Sequence, residues 1–181
     1  MVKFDAVHHA HAAIKRVLNK DMVALDATAG NGYDTLFLAK QSRLVYAFDI
    51  QALAIKNVQQ RLREANINNV KLIHDTHANI DNYVKEPIMA AMFNLGYLPG
   101  SDKTVITEPP STIKALEVVF KKLLGGGVVT VVCYQGHRGG REELKAVQAY
   151  LEALDHALYE LKTYKSFEYH EAPITFVITK N

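Results

Sequence analysis

The chain has 181 residues, 49% of them hydrophobic and 22% charged, with a net charge of +2 and a pI near 8.5. That length permits one domain with a substantial core. No run of about 18 apolar residues offers a transmembrane span, Met1–Asp5 does not open a secretory leader, and the lone Cys133 excludes an internal disulfide or an all-cysteine zinc site. The mild basic balance permits a nucleic-acid partner without arguing for one, and a cytoplasmic location is the default expectation.

Residues 5–19 read as a helix, with Val7, Ala10, Ile14 and Val17/Leu18 recurring at helical spacing. It carries His8, His9 and His11. His8 and His11 share a face, but no carboxylate or cysteine nearby completes a ligand set, so no metal is expected. The histidines fit the rim of a pocket. Met22–Leu25 is a short apolar strand ending at Asp26, and Ala27-Thr28-Ala29-Gly30-Asn31-Gly32-Tyr33-Asp34 is a small-residue turn around two glycines. Thr35–Lys40 resumes as a helix. Strand, glycine turn and helix form the opening of a nucleotide-binding βαβ unit.

The next strand, Arg43–Phe48, ends in Asp49, about 20 residues beyond the first glycine, where an acidic side chain grips ribose hydroxyls. A helix follows over Leu53–Glu64, then a turn at Asn66–Asn69 and a third strand, Val70–Ile73. His74-Asp75-Thr76-His77 is a polar cluster at that strand's C-terminal end. Asp75 suits either an adenine amino group or the cap of a short helix over Ala78–Val84. The apolar run Ile88–Phe93 reads as a central parallel strand. It ends in Asn94-Leu95-Gly96-Tyr97-Leu98-Pro99-Gly100 and a loop to Pro109-Pro110 long enough to be functional or mobile.

A helix over Ser111–Leu123, capped by Ser111 or Thr112 and stopped by Gly125-Gly126-Gly127, leads to strand Val128–Cys133, where Cys133 reads as a buried apolar residue. Tyr134-Gln135-Gly136-His137-Arg138-Gly139-Gly140 is a second glycine-rich polar loop. An amphipathic helix over Arg141–Leu154 and two strands, Ala157–Tyr164 and Ile174–Thr179, complete the chain. The last two strands have no helix between them. The expected fold is therefore an α/β Rossmann-like domain spanning residues 1–181: a seven-stranded, mostly parallel sheet with one antiparallel C-terminal strand and helices on both faces.

The glycine turn leaves two ligands open. A dinucleotide site expects G-x-G-x-x-G, and Thr35 stands where the third glycine belongs. Asp26 and Asp34 flanking the glycines suit a cationic ligand such as S-adenosylmethionine better than a pyrophosphate. The terminal strand pair also fits a class I methyltransferase better than a six-stranded dinucleotide fold.

Four segments in order, Leu25–Thr35, Phe48–Gln51, Phe93–Gly100 and Tyr134–Gly140, resemble the YtqB-like family of small bacterial methylases over essentially the whole chain. The resemblance implies a class I S-adenosylmethionine-dependent methyltransferase. It further implies methylation of the exocyclic amine of 5-aminomethyl-2-thiouridine at the tRNA wobble position. The sequence departs from the general D-x-G-x-G-x-G pattern at Thr28, which puts the close backbone approach there in question. Carried over by residue, Gly30, Asn31, Gly32 and Asp34 would line the methionine and ribose part of the cofactor. Asp49 would bind the ribose diol with Gln51 beside the adenine, Asp75 and His77 would close the adenine side, and Asp26 would face the amino group.

Asn94-Leu95-Gly96-Tyr97 is similar to the N-P-P-Y motif of amino-methyltransferases, with Leu-Gly in place of Pro-Pro. That similarity assigns Asn94 to positioning the amine and Tyr97 to stacking on the base. The amine must lose a proton before attack, with His137, His77 or Tyr134 as acceptors or water in their place. Arg138 and Arg141 suit phosphate contacts, with Tyr134 beside them. The expected partner is a tRNA anticodon loop, a homodimer is left open, and neither a membrane nor a metal is expected. Methylation of rRNA or of a small-molecule amine is the alternative reading.

Overall fold

The structure, a computed structural model, describes residues 5–98, 100, 104–166 and 171–181. Its strands are β1 (Val23–Asp26), β2 (Leu44–Asp49), β3 (Val70–His74), β4 (Ile88–Leu95), β5 (Leu123–Cys133), β6 (Tyr159–Tyr164) and β7 (Ile174–Lys180). They form one seven-stranded sheet in the order β3-β2-β1-β4-β5-β7-β6. β1 to β5 pair in parallel, and β7 lies antiparallel between β5 and β6. The expected reversed strand is therefore β7. The order turns at β1 and β4, which is where open α/β sheets place their ligand crevice.

Alternation along the strands divides the core in two. Val23, Leu25, Ala91 and Phe93 face one side, packed with residues of α4 (Ile80–Tyr83), α5 (Pro109–Lys122) and α6 (Gly140–Glu152). Ala24, Ala90 and Met92 face the other, packed with α1 (Ala6–Lys15), α2 (Tyr33–Ala39) and α3 (Ala52–Glu64). The period of two in β1 and β4 thus puts successive residues into opposite layers. Cys133 is buried in β5, and burial pushes its thiol pKa up.

α1 starts where Asp5 accepts the N–H groups of Val7 and His8. Its small buried residues Ala6 and Ala10 let it lie close on the sheet, and the Thr175 hydroxyl donates to the Ala6 carbonyl at 2.9 Å. α2 starts at Tyr33, two residues before the expected Thr35, because Gly32 at φ +85° serves as its N-cap.

Two expectations around α5 do not hold. Its N-cap is Glu108, followed by a proline in the first turn, and the Ser111 and Thr112 hydroxyls donate elsewhere. The helix ends at Lys122, and Gly125–Gly127 belong to the start of β5, beside a shift in register with β4 between Ile88 and Ala90. A Cβ on Gly127 would lie 2.8 Å from the Leu124 carbonyl oxygen, so the strand can take that path only with glycine. No helix among the described residues is long and apolar enough to cross a membrane.

Candidate active site

The C-terminal ends of the parallel strands open on a cavity of about 760 Å³. Its floor on one side is the loop after β1. Gly30 and Gly32 adopt φ of +52° and +85° there, a region that favours glycine. The Gly30 N–H donates to Asp49 Oδ2 at 2.9 Å, and the Gln51 N–H donates to Asp49 Oδ1 at 2.9 Å. The carboxylate at the end of β2 is thus fixed by backbone on both oxygens, each keeping a further lone pair for a diol. α3 clamps the loop from behind. The Arg61 Nε–H donates to the Asn31 carbonyl at 2.9 Å, its guanidinium lies 4.1 Å from the Tyr33 ring centroid, and Asn57 Nδ2 donates to Asn31 Oδ1.

Thr28 explains its own departure from the glycine pattern. Its hydroxyl accepts the Asn94 N–H at 2.7 Å, tying the loop to the end of β4. A glycine would leave that N–H without this partner.

Asp26 does not line the cavity, contrary to expectation. It is fully buried beneath the loop, where it accepts the Thr35 hydroxyl at 2.6 Å and the Thr28 N–H at 3.1 Å. Burial, then the neighbouring charges of Asp34 and Asp49, raise its pKa to about 7. Its bonds hold the glycine loop together, which places it under the ligand site rather than in it.

The other expected cofactor residues, Gly30, Asn31, Gly32, Asp34, Asp49, Gln51, Asp75 and His77, all border the cavity. Asp75 accepts the Thr76 N–H, Asn79 Nδ2 and the Tyr83 hydroxyl, and these bonds, that of Tyr83 foremost, hold its carboxyl below the usual range. The cap of the following 3-10 turn (His77–Asn79) is Thr76, which accepts the Ala78 N–H. His77 is buried, and burial lowers its pKa. Its Nδ1–H donates to the Ala27 carbonyl at 3.1 Å, so Nε2 carries the lone pair, buried and without a partner among the described residues.

The opposite wall comes from β4, β5 and their loops. Asn94 donates from Nδ2 to Asp34 Oδ2, while its Oδ1 is buried and has no partner among the described residues. Beyond it the chain folds back. The Gly96 N–H donates to Thr107 Oγ1 and the Thr107 N–H donates to the Gly96 carbonyl, both at 2.9 Å, and Tyr97 bridges to Ile106. Glu143, almost fully buried in α6, accepts the hydroxyls of Thr107 at 2.6 Å and Thr112 at 2.8 Å. Burial raises its pKa. Pro99 and 101–103 of the Leu95–Pro110 connection lie outside the described residues.

His137 stands edge-on to Tyr97, with ring centroids 5.7 Å apart, and both its ring nitrogens are buried without partners among the described residues. Gly140 is needed beside it. A Cβ there would lie 2.6 Å from the Tyr134 carbonyl oxygen and 2.8 Å from His137 Cε1. Tyr134 lines the cavity, and burial followed by the charges of Asp34 and Asp5 raises its phenol.

The structure therefore gathers Asn94, Tyr97, Tyr134 and His137 on one wall. It sets Arg138 and Arg141 outside the cavity, both exposed, with Arg141 paired to Glu171 at 3.0 Å. The charged residues lining the cavity among those described are Asp34, Asp49, Asp75 and Glu171, with no Lys or Arg. Such a lining attracts cations and repels a pyrophosphate.

Sequence reading missed Glu143, Thr107, Thr112, Arg61 and the link from His11 to Asp34. No local signal marked them: Glu143, for instance, sits beside Glu142 on the same helix. Among the described residues no cluster of three His, Cys, Asp or Glu side chains is placed to hold a metal. His9 instead stacks on Tyr164 and His11 on Phe37.

Comparison with known proteins agrees with this picture. A family model described as "Putative rRNA methylase" matches residues 45–180. The chain is 38% identical to the tRNA (mnm(5)s(2)U34)-methyltransferase, chloroplastic, of Arabidopsis thaliana, over 80% of its own length and 58% of that relative's. The chain thus spans less than two thirds of that relative. Among solved structures it is similar to SMU.1697c from Streptococcus mutans, described as "a putative methyltransferase" in complex with SAH, at 38% identity and TM-score 0.94 over all of both chains. A structure from Clostridium thermocellum described as a "putative rRNA-methylase" matches at 36% identity and TM-score 0.95, also over all of both chains.

Proposed function

This chain belongs to the family whose rRNA-methylase model spans residues 45–180, and on that premise we propose that it uses S-adenosylmethionine to methylate the exocyclic amine of 5-aminomethyl-(2-thio)uridine at the tRNA wobble position. One observation carries the reading. Among the described residues the cavity is lined by four carboxylates and no Lys or Arg, and at the end of β4 it holds an amide oxygen, Asn94 Oδ1, buried with nothing to accept from. A buried acceptor left open costs about 1–3 kcal/mol unless a ligand donor fills it.

The residues present fit the cofactor. Gly30 and Gly32 give close backbone approach, Asp49 offers lone pairs to a ribose diol, Gln51, Asp75 and His77 border the adenine side, and Asp34 and Asn31 border the methionine side. When bound, S-adenosylmethionine supplies a methyl on a positively charged sulfur, transferred to the nitrogen lone pair as the carbon–sulfur bond breaks with its electrons kept on sulfur. The protein's task is then to desolvate, orient and deprotonate an amine.

Asn94 Oδ1 accepts an N–H of that amine, and Tyr97 packs against the base. His137 takes the proton. The other two acceptors fit less well: the Tyr134 phenol is raised and stays protonated, and burial lowers His77, which makes it the weaker base. A wobble nucleotide is single-stranded and can enter a pocket without melting a helix. Arg138, Arg141 and Tyr134 at the rim would meet the RNA, with Arg141 exchanging Glu171 for a phosphate.

The test is nucleoside mass spectrometry of tRNA from cells lacking this gene, incubated with the protein and S-adenosylmethionine. Gain of a methyl on 5-aminomethyl uridine is expected. No gain in tRNA, with cofactor binding intact, would move the assignment to rRNA, which the family's description favours, or to a small amine.

A further inference from the structure

Asn94 is the middle of a longer chain of contacts. Asp34, at the start of α2, holds Asn94 Nδ2 on Oδ2 and His11 Nε2 on Oδ1, the latter at 2.6 Å. An ionised carboxylate only accepts hydrogen bonds. Whichever amide atom faces Asp34 must therefore be the NH2 group, and Oδ1 becomes the acceptor left over. The same logic requires Nε2 of His11 to carry a proton.

His11 is itself well fixed. Its ring lies flat on Phe37, with centroids 3.8 Å apart and planes 4° apart. Its helix is capped by Asp5 and joined to β7 through the Thr175 hydroxyl on the Ala6 carbonyl. Asp34 is nearly buried, so its second oxygen would otherwise lose a hydrogen-bond partner.

We propose that His11 is a positioning residue for methyl transfer: by holding Asp34 it fixes the Asn94 amide so that Oδ1, not Nδ2, meets the attacking amine. This rests on the reading of the site as an amine methyltransferase. It gives α1, which supplies no atom to the reacting groups, a part in the reaction through one hydrogen bond. Asp34 can serve both the cofactor and this relay, because a carboxylate offers about four lone-pair sites.

The test compares His11→Phe, which keeps the stack on Phe37 and removes the donor, with His11→Gln, which keeps an N–H donor. His11→Phe is expected to lower kcat by about 10- to 100-fold, the scale of a misplaced reacting group. KM for S-adenosylmethionine should stay within about twofold, the mark of an interaction made only in the transition state. His11→Gln should recover most of the rate. An unchanged kcat in His11→Phe, or a cofactor affinity that falls in step with kcat, would overturn the proposal.

A second readout needs neither turnover nor tRNA. In the cofactor-free protein the ring nitrogen signals of His11, identified by their loss in His11→Phe, should show a protonated Nε2 and should move in Asp34→Asn. Signals unmoved by Asp34→Asn would also overturn it. If these signals behave as expected while tRNA gains no methyl, the substrate assignment has failed and the positioning contact stands.

Discussion

On the β1–β3 side of the cavity the wall is set by backbone. Gly30 and Gly32 take left-handed conformations, and main-chain N–H groups of Gly30 and Gln51 fix the Asp49 carboxylate. On the β4–β5 side it is set by side chains drawn from distant segments: Asp34 and Thr28 on Asn94, and Thr107 and Thr112 on Glu143, with His137 against Tyr97. Among the described residues the first wall leaves His77 Nε2 as its one buried polar side-chain atom without a partner. The second leaves Asn94 Oδ1 and both His137 nitrogens buried and open among the described residues. A common cofactor can be met by a rigid backbone cradle, whereas a particular nucleophile needs unpaired polar groups in defined orientations.

Substitutions can separate the two walls. Asn94→Ala should have the largest effect, lowering kcat by about 10²- to 10³-fold, as for loss of one preorganised polar group. Cofactor affinity by calorimetry should stay within about threefold. A parallel loss of cofactor binding would break the distinction, because Asn94 would then belong to both walls.

Gly32→Ala should do the reverse. Its Cβ would meet Val58 Cγ2 at 3.2 Å at φ +85°, and a left-handed non-glycine residue adds about 1–2 kcal/mol of strain. Expected are a lower Tm and roughly tenfold weaker cofactor binding, with about 1.4 kcal/mol per decade. Turnover at saturating cofactor should be largely kept.

Glu143→Gln sharpens the second wall. The amide retains one acceptor for the two threonine hydroxyls, so about 1 kcal/mol of stability should be lost at neutral pH. The rate should fall more than cofactor affinity, since Thr107 holds Gly96 beside Asn94. Because burial raises the Glu143 pKa, the loss should shrink as pH rises and the wild-type carboxyl ionises.

The smallest effect belongs to Asp26→Asn, under the first wall. Burial, with Asp34 and Asp49, raises Asp26 from 3.8 to about 7. The folded protein therefore holds a proton that the unfolded chain has released, and its stability declines as pH rises between about 4 and 7. The amide can still accept from Thr28 and meet Thr35, so the variant should fold. Its Tm, followed from about pH 5 to about pH 8, should vary less than that of the wild type.

Particular residues show what could be read in advance. Asp49 was legible because a polar residue ending an apolar strand, at a fixed distance past a glycine turn, has one place to go in this fold. Asn94 was legible for the same reason, as the first polar residue after Ile88–Phe93. Asp26 obeyed the same pattern and misled, because the Thr35 hydroxyl and the Thr28 N–H take its oxygens under the loop. Arg61 carried no signal in the sequence, yet it clamps Asn31 and covers Tyr33. Glu143 follows Glu142 on a helix and nothing local separates them. Only the arrival of Thr107 and Thr112 makes one of them buried.

The alternation of strands and helices, the reversed terminal strand and the glycine cradle were all present in the order of the residues. Periodicity, strand-end polarity and glycine conformation are properties of short stretches of chain. Which carboxylates face the ligand, which one is buried beneath it, and how His11, Asp34 and Asn94 join were settled when the chain folded. Those are contacts between α1, α2 and β4, and a hydrogen bond between segments far apart leaves no period or local spacing in the chain to read.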